Sequence, residues 1–124
     1  MLAEDFDYVR EHVRQVPDFP KPGILFLDIT TATKDAKAMN LMIDFLYEKF
    51  KDERIDYVAG IESRGFIFGA PLACRLNAGF VPIRKPNKLP ANTIKESYSL
   101  EYGTDTIEMH ADAVKEGDRV LVID

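Results

Sequence analysis

The fold is decided by one stretch in the middle of the chain, Tyr57-Val58-Ala59-Gly60-Ile61-Glu62-Ser63-Arg64-Gly65-Phe66. Residues 57–61 form a short apolar run that is typical of a buried strand. Gly65 and Gly69 punctuate the turn that follows, and Pro71 to Leu76 suits the opening of a helix, where proline is tolerated in the first turn. The stretch therefore predicts a strand, a tight turn and a helix in succession.

A turn of this kind favours the binding of an anion. Backbone N–H groups and the positive end of the helix dipole point into the space beyond the strand. Ser63 adds a hydroxyl, and Arg64 adds a guanidinium whose fork matches phosphate oxygens. An ordinary turn with a solvated arginine explains the same residues, because a two-glycine turn is a weak signal.

The rest of the chain supplies further helices and strands. Apolar residues at helical spacing predict a helix over residues 4–16, and three prolines predict a stiff extended connector over 17–23. A strand or extended edge is expected at 24–29, followed by a helix capped by Asp35 that runs to about residue 51. Apolar runs at 80–84 and 119–124 predict two more strands. Short strands separated by helices imply an α/β fold with a parallel sheet flanked by helices.

A group of cations, Arg84, Lys85 and Lys88, follows the strand at 80–84. If this strand is the neighbour of strand 57–61, both loops open at the same edge of the sheet, since parallel strands end together. Arg64 would then face the three cations across one crevice, which suits a polyanion such as pyrophosphate. A basic surface patch without a ligand is the alternative.

Residues 87–110 lie between two predicted strands and have no helical period. Alternation in Thr104-Asp105-Thr106-Ile107-Glu108-Met109 predicts a hairpin arm. The segment Ser97-Tyr98-Ser99-Leu100-Glu101-Tyr102-Gly103 places a carboxylate between two tyrosines on that arm, which could close over a substrate and exclude water. Taken alone, a segment of this kind is more often an ordinary hairpin. Cys74, in the predicted helix, is expected to be a buried structural thiol.

The bulk composition narrows the class of protein. The chain has 124 residues, a hydrophobic fraction of 46% and a net charge of −5, an ordinary balance for one soluble domain. The net charge argues against broad nucleic-acid binding, which depends on neutralising many phosphates. No apolar run approaches the roughly 20 residues that span a membrane. The acidic N-terminus is unlike a signal peptide and the single cysteine fits a reducing compartment, so a cytoplasmic location is expected.

Three groups of segments together resemble the adenine phosphoribosyltransferases of the type I purine phosphoribosyltransferase family. The first is Pro17-Asp18-Phe19-Pro20 with Pro22-Gly23-Ile24-Leu25-Phe26 and Asp28-Ile29-Thr30. The second is Gly60-Ile61-Glu62-Ser63-Arg64-Gly65-Phe66 with Phe68-Gly69. The third is Ile83-Arg84-Lys85-Pro86, Lys88-Leu89-Pro90 and Ser97-Tyr98-Ser99-Leu100-Glu101-Tyr102-Gly103. They occur in the family's order and at its spacing, and the match covers nearly the whole chain.

The resemblance implies transfer of phosphoribose from phosphoribosyl pyrophosphate to N9 of adenine, which gives AMP and pyrophosphate. Mg²⁺ would be carried by the pyrophosphate, with no direct protein ligand. The family is typically a homodimer. The fold it implies is a single, partial phosphoribosyltransferase domain that is Rossmann-like, with residues 1–34 as an N-terminal helix and base-binding hood. Residues 35–124 would be an incomplete α/β core, with the flexible hairpin arm at about 87–110.

The resemblance also assigns roles to residues. Adenine would stack on Phe26, and the backbone around Leu25 and Leu27 would read its N1 and N6 edge. Glu101 would take the proton from N7 as the bond to N9 forms, and Arg64 would help to position the leaving group. Pyrophosphate, or the whole phosphoribosyl pyrophosphate, would be bound by Glu62, Ser63, Arg64, Gly65, Arg84, Lys85, Lys88, Tyr102 and Asp124, and the Glu62–Ser63 peptide would be cis.

The chain departs from the family pattern at a few places. Leu27 stands where many members have arginine, and Thr31-Ala32-Thr33 stands where many have a proline and leucines. Asn87 occupies a place that is often glycine, and asparagine is the next-best residue for a left-handed turn. After Asp124 the family continues into a second acidic residue and a loop that cradles the 5′-phosphate. We therefore expect the 124 residues alone to be inactive.

Two other functions fit the same residues. One is a non-catalytic, purine-responsive binding module of the same fold, and the other is a phosphoribosyltransferase for another purine. A structural fragment, or half of a reconstituted protein, is a third possibility. Neither nucleic acid nor a membrane is an expected partner.

Overall fold

The computed structural model describes all 124 residues, Met1 to Asp124. Its residues group into two compact units, Met1–Lys49 and Phe50–Asp124. The sequence predicts one partial domain, with an N-terminal hood at residues 1–34 and a core at 35–124. Those bounds come from the roles of the segments in the family, and they stay a prediction. None of the helices is long and apolar enough to cross a membrane.

The first unit consists of three helices and a two-stranded antiparallel sheet. In chain order these are α1 (Ala3–His12), β1 (Arg14–Pro17), β2 (Leu25–Asp28), α2 (Thr30–Thr33) and α3 (Ala36–Phe50), whose last residue belongs to the second unit. The carboxylate of Asp35 accepts the N–H of Ala38 at 3.0 Å, which is the N-terminal cap expected for α3. The prediction of this helix is therefore confirmed.

The beginning of the chain differs from the prediction of one helix over residues 4–16. Helix α1 ends at His12, Val13 is extended, and residues 14–17 pair with β2. Pro17 explains part of the difference, because the residue before a proline avoids the helical region. The expected extended connector at 17–23 is also wrong. Positive φ angles at Asp18 (58°) and Gly23 (89°) reverse the chain and make it the loop of the β1–β2 hairpin.

The second unit contains a parallel sheet and a separate hairpin. Its elements are β3 (Tyr57–Ile61), α4 (Arg64–Leu76), β4 (Gly79–Ile83), β5 (Thr93–Leu100), β6 (Gly103–His110) and β7 (Val120–Ile123). The sheet has the order β4-β3-β7, and all its strands are parallel. Strands β5 and β6 form an antiparallel hairpin. The predicted α/β fold and the predicted hairpin arm are therefore confirmed.

Helix α4 packs against the sheet because glycines let the two backbones approach. A Cβ on Gly65 would lie 2.3 Å from the carbonyl oxygen of Ile123, and one on Gly60 would lie 2.6 Å from that of Gly65. The core beneath the helix contains Val58, Ala59, Leu72, Ala73 and Val81, all buried.

Two sequence-based predictions about this helix are wrong. It begins at Arg64 and encloses Pro71, so the glycines are packing positions within or beside the helix rather than punctuation of a long turn. Cys74, expected to be buried, is exposed. The error about Cys74 follows from which face of α4 meets the sheet, and the sequence pattern alone did not fix that face.

Candidate functional site

The loops after β3 and β4 lie at the same edge of the sheet. Ile61 is paired with Ile83 in the parallel register, and the N–H of Glu62 donates to the carbonyl of Ile83 at 2.9 Å. Asp124 follows β7, the other neighbour of β3, so the carboxyl ends of all three strands meet there. The two segments expected to bind an anion, Glu62–Gly65 and Arg84–Lys88, thus begin side by side.

Glu62 connects these two loops. Its Oε1 accepts the backbone N–H of Lys85 at 2.6 Å and lies 3.4 Å from Nε of Arg84. The Arg84 contact is an ion pair without hydrogen-bond geometry, and Nε of Arg84 is buried with no hydrogen-bond partner. The sequence predicts that Glu62 binds pyrophosphate. In this structure its carboxylate is directed to neighbouring protein groups, where it orders the cationic loop.

Lys85 also contacts the arm. Its Nζ forms an ion pair with Oδ2 of Asp105, which accepts a hydrogen bond from the hydroxyl of Tyr98 at 3.1 Å. The other oxygen, Oδ1, accepts the N–H of Thr106 at 2.9 Å. The hydrogen bond from Lys85 is the main reason why the pKa of Asp105 is lowered, and the same bond raises the pKa of Lys85. Burial, followed by the bond to Asp105, raises the pKa of Tyr98.

The remaining cations and turn residues of this edge are open to solvent. Ser63 is the residue before α4, Arg64 is the first residue of that helix, and both are exposed, as is Lys88. The Glu62–Ser63 peptide is cis, as the resemblance implies. Asn87 has a φ of 67°, so the left-handed turn expected there is confirmed. The structure therefore places Ser63, Arg64 and Lys88 where a ligand in solvent can reach them.

Glu101 and Tyr102 lie at the tip of the arm. They occupy the turn between Leu100 and Gly103, which are paired at the end of the β5–β6 ladder. The side chain of Tyr102 is 85% exposed. Asp105 lies on β6, closer to the base of the arm than these two residues.

A second candidate site lies in the first unit. A hollow of about 680 Å³ is lined by Arg14, Val16, Phe19, Phe26, Asp28 and Thr30. The rings of Phe19 and Phe26 pack edge to face with centroids 5.1 Å apart. Since side chains alternate along a strand, Leu25 and Leu27 point away from the face that carries Phe26. Strand β2 has only β1 as a neighbour, so its other edge is open.

Asp28 forms the polar part of this hollow. Its Oδ2 accepts hydrogen bonds from Nε and Nη2 of Arg14 at 3.0 and 2.6 Å, and its Oδ1 accepts from the N–H and hydroxyl of Thr30 at 2.8 and 2.6 Å. These bonds, first those from Thr30, lower the pKa of Asp28 to about 2. The sequence reasoning identified Phe26 but missed Arg14, Phe19 and Thr30. Alternation along two paired strands would have found Arg14, once β1 was recognised as a strand.

Comparison with known proteins identifies the family. No protein-family model matches the sequence. The chain is 54% identical over 122 residues to the adenine phosphoribosyltransferase of Klebsiella pneumoniae strain 342, covering 98% of this chain and 67% of that protein.

Solved structures of the same family are similar to this chain in sequence and in fold. The crystal structure of adenine phosphoribosyltransferase from Thermoanaerobacter pseudethanolicus is 53% identical with a TM-score of 0.88, covering 94% of this chain and 67% of that one. The Saccharomyces cerevisiae enzyme, complexed with an imino-altritol bisphosphate and adenine, is 38% identical with a TM-score of 0.90, covering 99% of this chain and 72% of that one. On this similarity, together with the order of its loops, the chain belongs to the adenine phosphoribosyltransferase family.

Proposed function

We propose that the protein transfers phosphoribose from phosphoribosyl pyrophosphate to adenine, giving AMP and pyrophosphate in purine salvage. The observation that carries the proposal is the meeting of three parallel strand ends at an edge rich in cations. An acidic chain with a net charge of −5 concentrates Arg64, Arg84, Lys85 and Lys88 in two neighbouring loops. Such a local concentration of charge suits a polyanion.

Adenine binding is assigned to the hollow of the first unit. The exposed ring of Phe26 offers a stacking surface, and the open edge of β2 offers unpaired main-chain groups around Leu25 and Leu27. Adenine presents one acceptor, N1, beside one donor, N6, and an extended main chain matches them with one N–H and one C=O. Hypoxanthine presents the reverse pattern, which would leave buried groups unpaired. The yeast relative was solved with adenine, which supports this ligand.

The pyrophosphate group is assigned to the cationic edge of the second unit. Arg64, Arg84, Lys85 and Lys88 would bind its oxygens, together with the Ser63 hydroxyl and the main chain at Gly65. Glu62, Tyr102 and Asp124 would complete the site for phosphoribosyl pyrophosphate. Mg²⁺ enters as part of the substrate, carried by the pyrophosphate, and neutralises charge on the leaving group. No group of three or more His, Cys, Asp or Glu side chains in the chain is arranged to hold a metal ion.

Glu101 is assigned the proton transfer. When N7 of adenine carries the proton, the N9 lone pair attacks the anomeric carbon, and a carboxylate near N7 accepts the proton as the bond forms. The exposed position of Glu101 at the tip of a hairpin suits a group that closes over the substrate. Fixing the leaving pyrophosphate in place then contributes more than covalent catalysis. A homodimer and a cytoplasmic location are further parts of the proposal.

The test offers adenine, hypoxanthine and xanthine as acceptors and measures the nucleotide that each would give (AMP, IMP and XMP) together with the release of pyrophosphate. In a chain that continues into the family's 5′-phosphate loop, we expect turnover with adenine only, and turnover with another purine in its place would overturn the assignment. Arg64→Ala should weaken pyrophosphate binding about 10- to 100-fold, the usual loss for hydrogen bonds to a charged group. Lys115→Ala removes the same charge from an exposed position outside the site and should leave binding unchanged.

Binding measurements test each of the two sites without requiring turnover. Titration calorimetry with adenine tests the hollow of the first unit, and titration with pyrophosphate tests the edge of the second. The inactivity expected for the 124 residues alone stays a prediction, and the same AMP assay measures it.

A further inference from the structure

We propose that Asp105 is the internal counter-ion of Lys85, and that it sets the affinity of the pyrophosphate site by competing with the anion for the lysine ammonium. The inference rests on the proposed function, because it takes Lys85 as a ligand of pyrophosphate. Asp105 lies on the arm, outside the residues assigned to the substrate. It acts through Lys85 and is therefore a positioning residue.

The carboxylate of Asp105 is fixed by the hairpin that carries it. Asp105 and Tyr98 are direct cross-strand partners, and the Tyr98 hydroxyl donates to Oδ2 at 3.1 Å. The N–H of Thr106 donates to Oδ1 at 2.9 Å. The side chain of Asp105 is 25% exposed, against 46% for that of Lys85. The acceptor is thus the rigid partner of the pair, and the lysine is the mobile one.

The main chain of Lys85 is fixed from the opposite side. Its N–H donates to Glu62 at 2.6 Å. The preceding residue, Arg84, exchanges two backbone hydrogen bonds with Glu108 of the arm, at 2.9 and 2.7 Å. The side chain is therefore the part of Lys85 that can change its partner, and in the structure its ammonium is paired with Asp105.

An anion that binds the ammonium must displace or share this carboxylate. Breaking the Lys85–Asp105 ion pair then costs part of the free energy of anion binding. By linkage, the bound anion weakens the ion pair to the same extent. Removing the charge of Asp105 should strengthen anion binding, and anion binding should loosen the contact between Lys85 and the arm. A residue that merely stabilised the fold would produce the opposite result, because its loss would weaken binding.

The experiment measures the dissociation constant of pyrophosphate by titration calorimetry at one fixed, low salt concentration. We expect Asp105→Asn to tighten binding about 1.5-fold to fivefold, the range set by an ion pair near the surface. Asp105→Glu keeps the charge and should restore the wild-type value. Asp112→Asn removes the same charge from an exposed position beyond the arm and serves as the control.

Two further variants separate this inference from the proposed function. Lys85→Ala should weaken pyrophosphate binding, and Asp105→Asn should have no effect in that background. If Lys85→Ala binds pyrophosphate as the wild type does, Lys85 is not a ligand and that part of the proposed function fails. If Lys85→Ala weakens binding but Asp105→Asn leaves it unchanged or weaker, the counter-ion role of Asp105 is refuted and the pyrophosphate site stands.

Hydrogen exchange gives a readout that does not depend on affinity. Pyrophosphate should speed exchange of the amides around Asp105 and Thr106 in the wild type, because the arm loses one anchor. In Asp105→Asn the same amides should exchange fast with and without the anion. Slower exchange in the wild type on binding would contradict competition for Lys85, provided that thermal unfolding shows both proteins to be folded.

Discussion

Replacing Gly65 with alanine tests directly how α4 is seated on the sheet. The new Cβ would lie 2.3 Å from the carbonyl oxygen of Ile123, and 3.1 and 3.2 Å from main-chain atoms of Gly60. Because these are backbone atoms of two paired strands, they cannot rotate away. Overpacking of this severity costs about 3 kcal/mol, and the gain in helix propensity from glycine to alanine returns about 1 kcal/mol. We expect the free energy of unfolding to fall by about 2 kcal/mol, at the difference of those two terms.

Urea denaturation followed by circular dichroism measures this change. The midpoint should fall at an unchanged slope, and the melting temperature should drop by about 8 °C for a domain of this size. Gly69→Ala is the matched control, since its Cβ would meet the edge of the Phe80 ring at 2.8 Å and the Val58 side chain at 3.5 Å. A side-chain ring can shift, so we expect a smaller loss. If Gly65→Ala is as stable as the wild type or more so, helix propensity outweighs the contact and the packing argument is wrong.

Two other predictions concern the two sites. Since the folded pKa of Asp28, about 2, lies below its usual 3.8, its contribution to stability is present above pH 3.8 and is lost as the pH falls toward 2. The urea midpoint of Asp28→Asn should therefore depend less on pH between about 2 and 3.8 than that of the wild type. The same pH dependence in both proteins would show that Asp28 is not the titrating group. In a chain that continues into the family's 5′-phosphate loop, Glu101→Gln should lower turnover with adenine about 10²- to 10⁴-fold while adenine affinity is kept. Glu96→Gln, an exposed residue of the same arm, should have no effect, and near-normal turnover of Glu101→Gln would remove Glu101 from the chemistry.

The parts of the fold that the sequence predicted are those governed by local pattern. Helix α3 has a long apolar face and an acidic cap, so its period identifies it, and β3 is a short apolar run followed by glycines, which indicates a strand. Strand β1 was missed because residues 14–17 carry apolar spacing that also fits the end of a helix. Their pairing with β2, across the hairpin loop, decides the conformation, and such a partner is not visible in a local window.

The candidate sites divide in the same way. The cations at the ends of β3 and β4 were predictable, since parallel neighbours end at one edge. The contacts between them were not. Glu62 bonds to a backbone N–H 23 residues away, and Asp105 meets a lysine 20 residues away. No spacing rule connects such residues, because their distance is set by the register of three strands and a hairpin.

The two carboxylates at the cationic edge carry the same charge but serve different purposes. Both lower the positive potential that attracts an anion, so Coulomb's law alone predicts that removing either one tightens binding. Glu62, however, holds the main chain of Lys85 through a hydrogen bond of 2.6 Å, and its contact with Nε of Arg84 is longer, at 3.4 Å, and lacks hydrogen-bond geometry. Without Glu62, the loop that carries the cations would be less ordered before binding. Ordering it on binding costs free energy, so the affinity for the anion would fall. Asp105 holds the ammonium itself, which the anion must take. What each carboxylate holds, and not its charge, therefore decides whether it supports or opposes pyrophosphate binding.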